Sequence, residues 1–187
     1  MAFNISDFKS NLQFGGARNT LFSVQLSPPP GVAGLDFRKA PFLVKSAAIP
    51  ESTLDPMPVS YFGRTIKMAG DRTFADWTVT VINDEDFAIR NALESWSNSI
   101  NQMRGNRRLS GSSPTSYKAN ATVTQYGKSG NVLRTYKFEG LFPSRIAAID
   151  LNWERTNQIE DFQVQFEYDH WVLEAQGTSS FGIGNQG

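Results

Sequence analysis

Alternation of apolar and polar residues predicts a chain built mainly of β-strands. In residues 20–27 (TLFSVQLS), Phe22, Val24 and Leu26 fall on one side, with Ser23 and Gln25 on the other. That is the pattern of a half-buried strand. Residues 73–83 (TFADWTVTVIN) are rich in β-branched and aromatic side chains and place Trp77, Val79 and Val81 on one side. Further strands are expected at 41–49, 59–68, 117–126, 132–138 and 147–153, the last with Ile149, Leu151 and Trp153 inward. The final strand, 159–172, puts Phe162, Val164, Phe166, Tyr168, His170 and Val172 on one face and Gln163, Gln165, Glu167 and Asp169 on the other.

In one stretch the period changes. Ile89, Leu93, Trp96, Ile100 and Met103 recur at intervals of four, three, four and three, one apolar stripe of an α-helix. The helix is expected at about 84–103, capped by Asn83 or Asp84 and closed near Arg104 and Gly105. Glu85 and Asp86 suit its positive end. Three consecutive prolines make 28–39 an exposed insertion loop, and two more prolines make 50–58 a long polar connection. Gly70-Asp71 is expected to turn the chain, Gly140-Leu141-Phe142-Pro143 to interrupt the sheet, and 127–131 to join a hairpin. About seven strands and one helix predict an antiparallel sandwich or barrel with the helix over part of it. Residues 1–187 read as a single domain, with an N-terminal arm at about 1–19, whose weakly amphipathic stretch 3–14 reads as a short helix or as part of the arm, and a flexible Gly/Ser tail at about 175–187.

Composition removes most chemistry. The chain has no cysteine and one histidine, so thiol nucleophiles, thiolate zinc sites and multi-histidine metal sites are excluded, and no cofactor is expected. His170 lies on the apolar side of its strand without a nucleophile elbow and reads as a structural residue. Asp84, Glu85 and Asp86 read as a helix start, and Arg104, Arg107 and Arg108 as the neutralised end of that helix and its loop. An enzyme is not expected. No apolar run reaches the length of a membrane span, and no secretory leader is apparent. Eighteen basic residues balance eighteen acidic ones, without the surplus of a phosphate-gripping protein. The solvent-facing strand positions are neutral and polar: Ser23, Gln25, Thr78, Thr80, Thr122, Thr124, Asn152, Gln163 and Gln165. Acids (Asp150, Glu167, Asp169) are interspersed. Such a face reads either as an ordinary solvated sheet surface or as one over which a polyanion slides without sticking.

The run Ala69-Gly70-Asp71-Arg72-Thr73-Phe74, continuing through Asp76-Trp77-Thr78-Val79-Thr80-Val81 to Asn83-Asp84-Glu85, resembles the signature of the tail tube proteins of contractile-tailed bacteriophages. The resemblance resumes at Gly140-Leu141-Phe142-Pro143, Leu151-Asn152-Trp153 and Asn157-Gln158-Ile159-Glu160, and runs from about residue 20 to 172. The loop 28–39, part of 104–116 and the tail depart from the family pattern. The resemblance implies a virion protein made in the bacterial cytoplasm. Hexameric rings would stack into a hollow tube, a conduit for viral DNA and a scaffold for the sheath. Its implied partners are the tail sheath, baseplate, tape-measure and tail-terminator proteins, with DNA only in passing and no membrane insertion. R-type bacteriocin and type VI secretion tubes are similar. Near-zero charge and unpaired strand edges suit such polymerisation.

Candidate interface or turn residues are Arg64, Asp71, Arg72, Asp76, Glu51 and Asp55, with Arg72 expected to make a charge-assisted bond that fixes the Gly70-Asp71 turn. The arms and 50–58 are expected to join one ring to the next. The alternatives are the tube of a DNA-free contractile injection particle and a lipocalin-like barrel with Trp153, Tyr168 and His170 lining a pocket.

Overall fold

The computed structural model describes residues 5–12, 16–109, 113–154 and 156–174. In order the elements are α1 (Ile5–Asn11), β1 (Phe22–Leu26), α2 (Ala40–Leu43), β2 (Val44–Ala47), β3 (Ser52–Tyr61), β4 (Arg64–Phe74), β5 (Trp77–Ile82), α3 (Ala88–Ile100), α4 (Pro114–Tyr117), β6 (Ala119–Tyr126), β7 (Val132–Ile146), β8 (Asp161–Glu167) and β9 (His170–Glu174). Strand outweighs helix by 44% to 16%, so the mainly-β expectation holds, and the sheet does not close into a barrel. The expected tail at 175–187 lies outside the described residues.

One long strand explains the architecture. The seven-stranded antiparallel sheet runs β1-β6-β7-β8-β5-β2, with β9 also on β7. The first part of β7 pairs with β6 and β9, and its last residues, from Phe142 on, pair with β8. The sheet therefore folds over on β7 into two facing layers. Their inner faces meet where Trp77 of β5 stacks on Phe138 of β7 at 4.3 Å. Val24, Ala121 and Val123 come from one layer; Val79, Val81, Phe162, Val164 and Phe166 come from the other. The α3 stripe of Ile89, Ala92, Leu93 and Trp96 completes the core. The Trp96 indole N–H donates to the Tyr117 carbonyl at 2.7 Å and thereby avoids an unmet buried donor.

Gly140 is the crossing point. Its φ is +71°, and a Cβ there would run into the Asp169 carboxylate. The stretch 140–143 thus bends a continuous strand, where an interruption was expected. The strand expected at 159–172 instead breaks beside this bend: Asp169 donates its backbone N–H to the Glu139 carbonyl at 3.0 Å, and its carboxylate takes the Lys118 ammonium at 2.5 Å. Left-handed strain plus overpacking predicts that Gly140→Ala loses roughly 2–4 kcal/mol of stability. Denaturant unfolding checks this; a midpoint equal to wild type would refute it.

Several sequence expectations are corrected. Residues 50–58 are not a connection: 52–61 form β3. The strand expected at 59–68 spans a turn at Phe62-Gly63, and Gly70-Asp71 lies inside β4. Residues 41–49 begin as the helical turn α2 before β2. The helix starts at Ala88, later than 84, because Asp84 and Asp86 bind the Lys39 ammonium in a turn before it. Neither Asn83 nor Asp84 caps it: the capping position is Phe87, at φ 53°. It ends at Ile100, leaving Met103 exposed. The loop 28–39 is not fully exposed, since Pro29 is buried and Phe37 packs against Trp96. Residues 147–153 are not a strand. Arg90 takes the Ala147 carbonyl at 3.3 Å, the chain leaves the sheet, and Leu151 and Trp153 are exposed. His170 and Val172 do not face the core: they sit exposed on β9.

Candidate assembly surface

The most unusual surface is the β3–β4 ribbon, a sheet of two strands. Isolated two-stranded hairpins are marginal in water. This one extends over the ten residues of β3, or about 30 Å at ~3.4 Å per residue. Its register pairs Met57 with Met68, Val59 with Ile66, and Tyr61 with Arg64. Directly paired residues share a face, so Met57, Met68, Val59, Ile66 and Tyr61 make one side, apolar except for Arg64 beside the tip. Pro58, Lys67, Ser60 and Thr65 make the other. All five apolar residues are exposed.

Prolines shape one border. Pro56 and Pro58 are two residues apart, so both missing N–H groups lie on the same side of β3. The ladder to β4 runs unbroken from Pro56↔Ala69 to Tyr61↔Arg64, which leaves the proline side outermost. A bulge interrupts the ladder near Asp55, where the Asp55 carbonyl lies close against Gly70. At the tip, Phe62 and Gly63 have φ of 42° and 77°, the two-residue turn that favours Asn-Gly. Phenylalanine in that conformation costs roughly 1–2 kcal/mol.

The structure brings the six candidate residues onto this one element or its flanks. Arg64 is next to the tip, Asp55 and Asp71 are at the bulge, and Glu51 and Asp76 flank the root. Arg72 donates from Nη1 to the Ser52 hydroxyl at 2.9 Å. The turn it was expected to fix is absent. Asp76 accepts from the Gln165 amide at 2.5 Å. At the root, Phe74 packs on Tyr168 and Trp171. Burial, then Asp76 and Glu51, push the Tyr168 hydroxyl above its usual pKa. The Trp77 indole N–H donates to the Ala48 carbonyl at 2.9 Å and pins the strand that leads into the ribbon. Sequence reasoning missed the ribbon itself; the proline spacing and the alternation on both sides of Phe62-Gly63 were the available signals.

Among the described residues, β1, β2 and β9 each pair on one side only, so three further borders carry free backbone groups. One solvent-facing ladder sets Thr78 opposite Gln165 and Thr80 opposite Gln163, with Arg145 across from Gln165 on the other side and Asp76 bonded to its amide. The other layer carries charge, with Lys137 bound to Glu139 at 2.9 Å and His170 3.4 Å from Glu139. No group of three metal-ligating side chains occurs among the described residues, and no described helix is long and apolar enough to cross a membrane. The lipocalin-like pocket does not form: Trp153 borders an open groove in the loop after β7, whereas Tyr168 and His170 stand at the β8–β9 corner.

Surface pairs give a pH prediction. Hydrogen bonds from Arg38 hold the Asp36 carboxyl down to about 2, and the Lys39 ammonium lowers Asp86. A depressed carboxylate adds stability above its unfolded pKa, which is lost as pH falls through the folded one. The melting temperature should stay flat from about pH 8 to 5 and drop only below the ordinary Asp value of 3.8. Salt should shrink the drop, because these pairs are exposed. A fall already under way at pH 6 would contradict this assignment.

Comparison with known proteins gives a consistent result. The family model described as phage tail tube protein matches residues 17–174. The chain is 36% identical to tail tube protein gp19 of Enterobacteria phage T4 over 171 residues, 91% of this chain and 94% of that one. It is 24% identical to the tail tube protein of Serratia phage KSP90 over 167 residues, 88% and 93% of the two chains. Among the solved structures that share its fold are the following two. The tube-terminating cap of the anti-feeding prophage has a TM-score of 0.62 at 16% identity, covering 86% of this chain and 92% of that one. The sheath–tube complex of an extracellular contractile injection system in its extended state has a TM-score of 0.59 at 16% identity, covering 89% and 97%.

Proposed function

The chain belongs to the phage tail tube protein family, and from that premise we propose that its bare β3–β4 ribbon is completed by other copies of the same chain. The protein is a structural component of the virion, a subunit of the tail tube. Its work is geometric: subunits enclose a channel, and no reacting group is required.

The finer reading is ours. Six subunits form a ring, rings stack, and the free borders of β1, β2 and β9 supply contacts within or between rings. A head-to-tail contact whose rotation closes gives a ring, and one that does not close gives a filament. The face around Thr78, Thr80, Gln163 and Gln165, where Arg145 and Lys45 are balanced by Asp76, Asp161 and Glu167, suits a bore that DNA passes without a cationic surplus to hold it. A sheath and baseplate around such a tube, a terminator at its end and a tape-measure protein within it complete the assembly we envisage. The similarity to T4 and KSP90 tail proteins favours a phage tail over a DNA-free injection particle. We read the chain as one tail-tube domain, since its buried side chains form one cluster.

The observation that carries this reading is the amphipathic ribbon standing clear of its own core. Negative-stain microscopy of the purified protein at rising concentration tests it. Tubes or six-fold rings are expected; a monodisperse monomer at every concentration would overturn it.

A further inference from the structure

Two apolar features at opposite ends of the ribbon lack partners in their own chain. At the tip, Tyr61 and Phe62 pack edge to face at 4.6 Å, and Phe62 is 90% exposed. Phenylalanine serves neither the turn, which favours asparagine there, nor the core. A strained residue that its own chain does not use points to a contact outside it. At the root, a cavity of about 370 Å³ opens at the seam between β1 and β2. Phe22, Ala47, Ile49, Val123 and Tyr136 line it, with Asn19 and Gln125 as its polar wall. Roughly 150 Å³ suffices for one benzene, so two aromatic side chains fit.

The tip cannot fill the cavity of its own chain. Ile49 lies just before β3, so ten residues of β3, about 30 Å, separate cavity from tip. We propose that the Tyr61–Phe62 tip of one subunit plugs the β1–β2 seam of a subunit in the neighbouring ring. This rests on the tube reading above and names the receiving site. The occupant is a second copy because the family builds a tube and each chain carries both plug and socket. Their separation makes the contact head-to-tail, so each subunit filled by one neighbour still offers its tip to the next.

Area sets the level at which the plug acts. Two aromatic side chains bury at most roughly 150–250 Å² each. Even with the socket counted, this falls short of the roughly 1,200 Å² of a stable pairwise interface. One plug does not hold two monomers together, but a ring whose tips engage at once gains from multivalency. Free subunits therefore stay apart while rings stack.

The test places a photoreactive benzophenone amino acid at position 62, co-assembled with isotope-labelled wild-type subunits so that only inter-subunit adducts carry both masses. Irradiated tubes should give cross-links to peptides holding Phe22, Ala47, Ile49, Val123 or Tyr136. Adducts confined to other peptides, in tubes of normal appearance, overturn the socket while leaving the tube reading intact; wild-type protein that never forms tubes overturns the tube reading first. Two variants give an independent readout. Ala47→Trp, which fills the cavity, and Phe62→Asn, which suits the turn, should both fold and reduce tube yield at least tenfold. Normal tube yield from either variant overturns the proposal.

Discussion

Replacing Val59 and Ile66 together with aspartate is expected to leave a folded monomer that forms no tubes. The two residues face each other across β3 and β4, in the middle of the apolar side of the ribbon. Both are exposed in the isolated subunit, so their loss removes almost nothing from its core. In the assembly each buried aliphatic side chain contributes on the order of 1.5–3 kcal/mol, and the effect repeats in every subunit. Carboxylates at those positions add the cost of burying unpaired charge, which exceeds the lost apolar contact. Circular dichroism and thermal melting should match wild type, while microscopy shows no tubes at concentrations where wild type polymerises. Tubes of ordinary length from the double variant would show that the apolar side is not a contact.

The second large effect falls on the core. Trp77→Ala should lose about 3–5 kcal/mol, a large share of the roughly 5–15 kcal/mol that holds a domain folded. Trp77 is 2% exposed, stacks on Phe138 of the facing layer and also touches Phe166. Its removal opens a cavity where the two layers meet. It also strips the donor from the Ala48 carbonyl, just ahead of the ribbon root. Trp77→Phe keeps most of the packing and loses the hydrogen bond, so its cost should be about 1–3 kcal/mol. Urea unfolding of both variants separates packing from pinning. A Trp77→Phe midpoint equal to wild type would mean the indole N–H does no more than decorate the core, and equal midpoints for the two variants would mean the ring packing adds nothing.

Sequence pattern located the parts that bury one face in the parent chain. Strand β5 alternates Trp77, Val79 and Val81 with threonines, and its inward residues are all buried. Helix α3 shows its stripe for the same reason, although Lys39 drew Asp84 and Asp86 into a turn and shortened its start. The ribbon escaped because its apolar side has no core to face within one chain. Prolines at 56 and 58 read as a break, yet a two-stranded ribbon has an outer border that tolerates them. Phe62-Gly63 carries none of the usual hairpin residues except the glycine. The opposite error occurred at 147–153, where alternation is real but the neighbouring ladder had already ended. The block Ala69–Glu85 that carries the family resemblance spans the second half of β4 and all of β5, which joins the root of the ribbon to the core.

The prolines at 56 and 58 have one more consequence. A naked pair of strands with an oily side is a hazard in a crowded cell, because any similar strand arriving at its rim can zip on and seed a fibre. Two missing donors in alternate positions make that rim a poor zipper. The rim along β3 is thereby closed to zipping, and the rim along β4, which carries no proline, is left as the one on which another strand can pair.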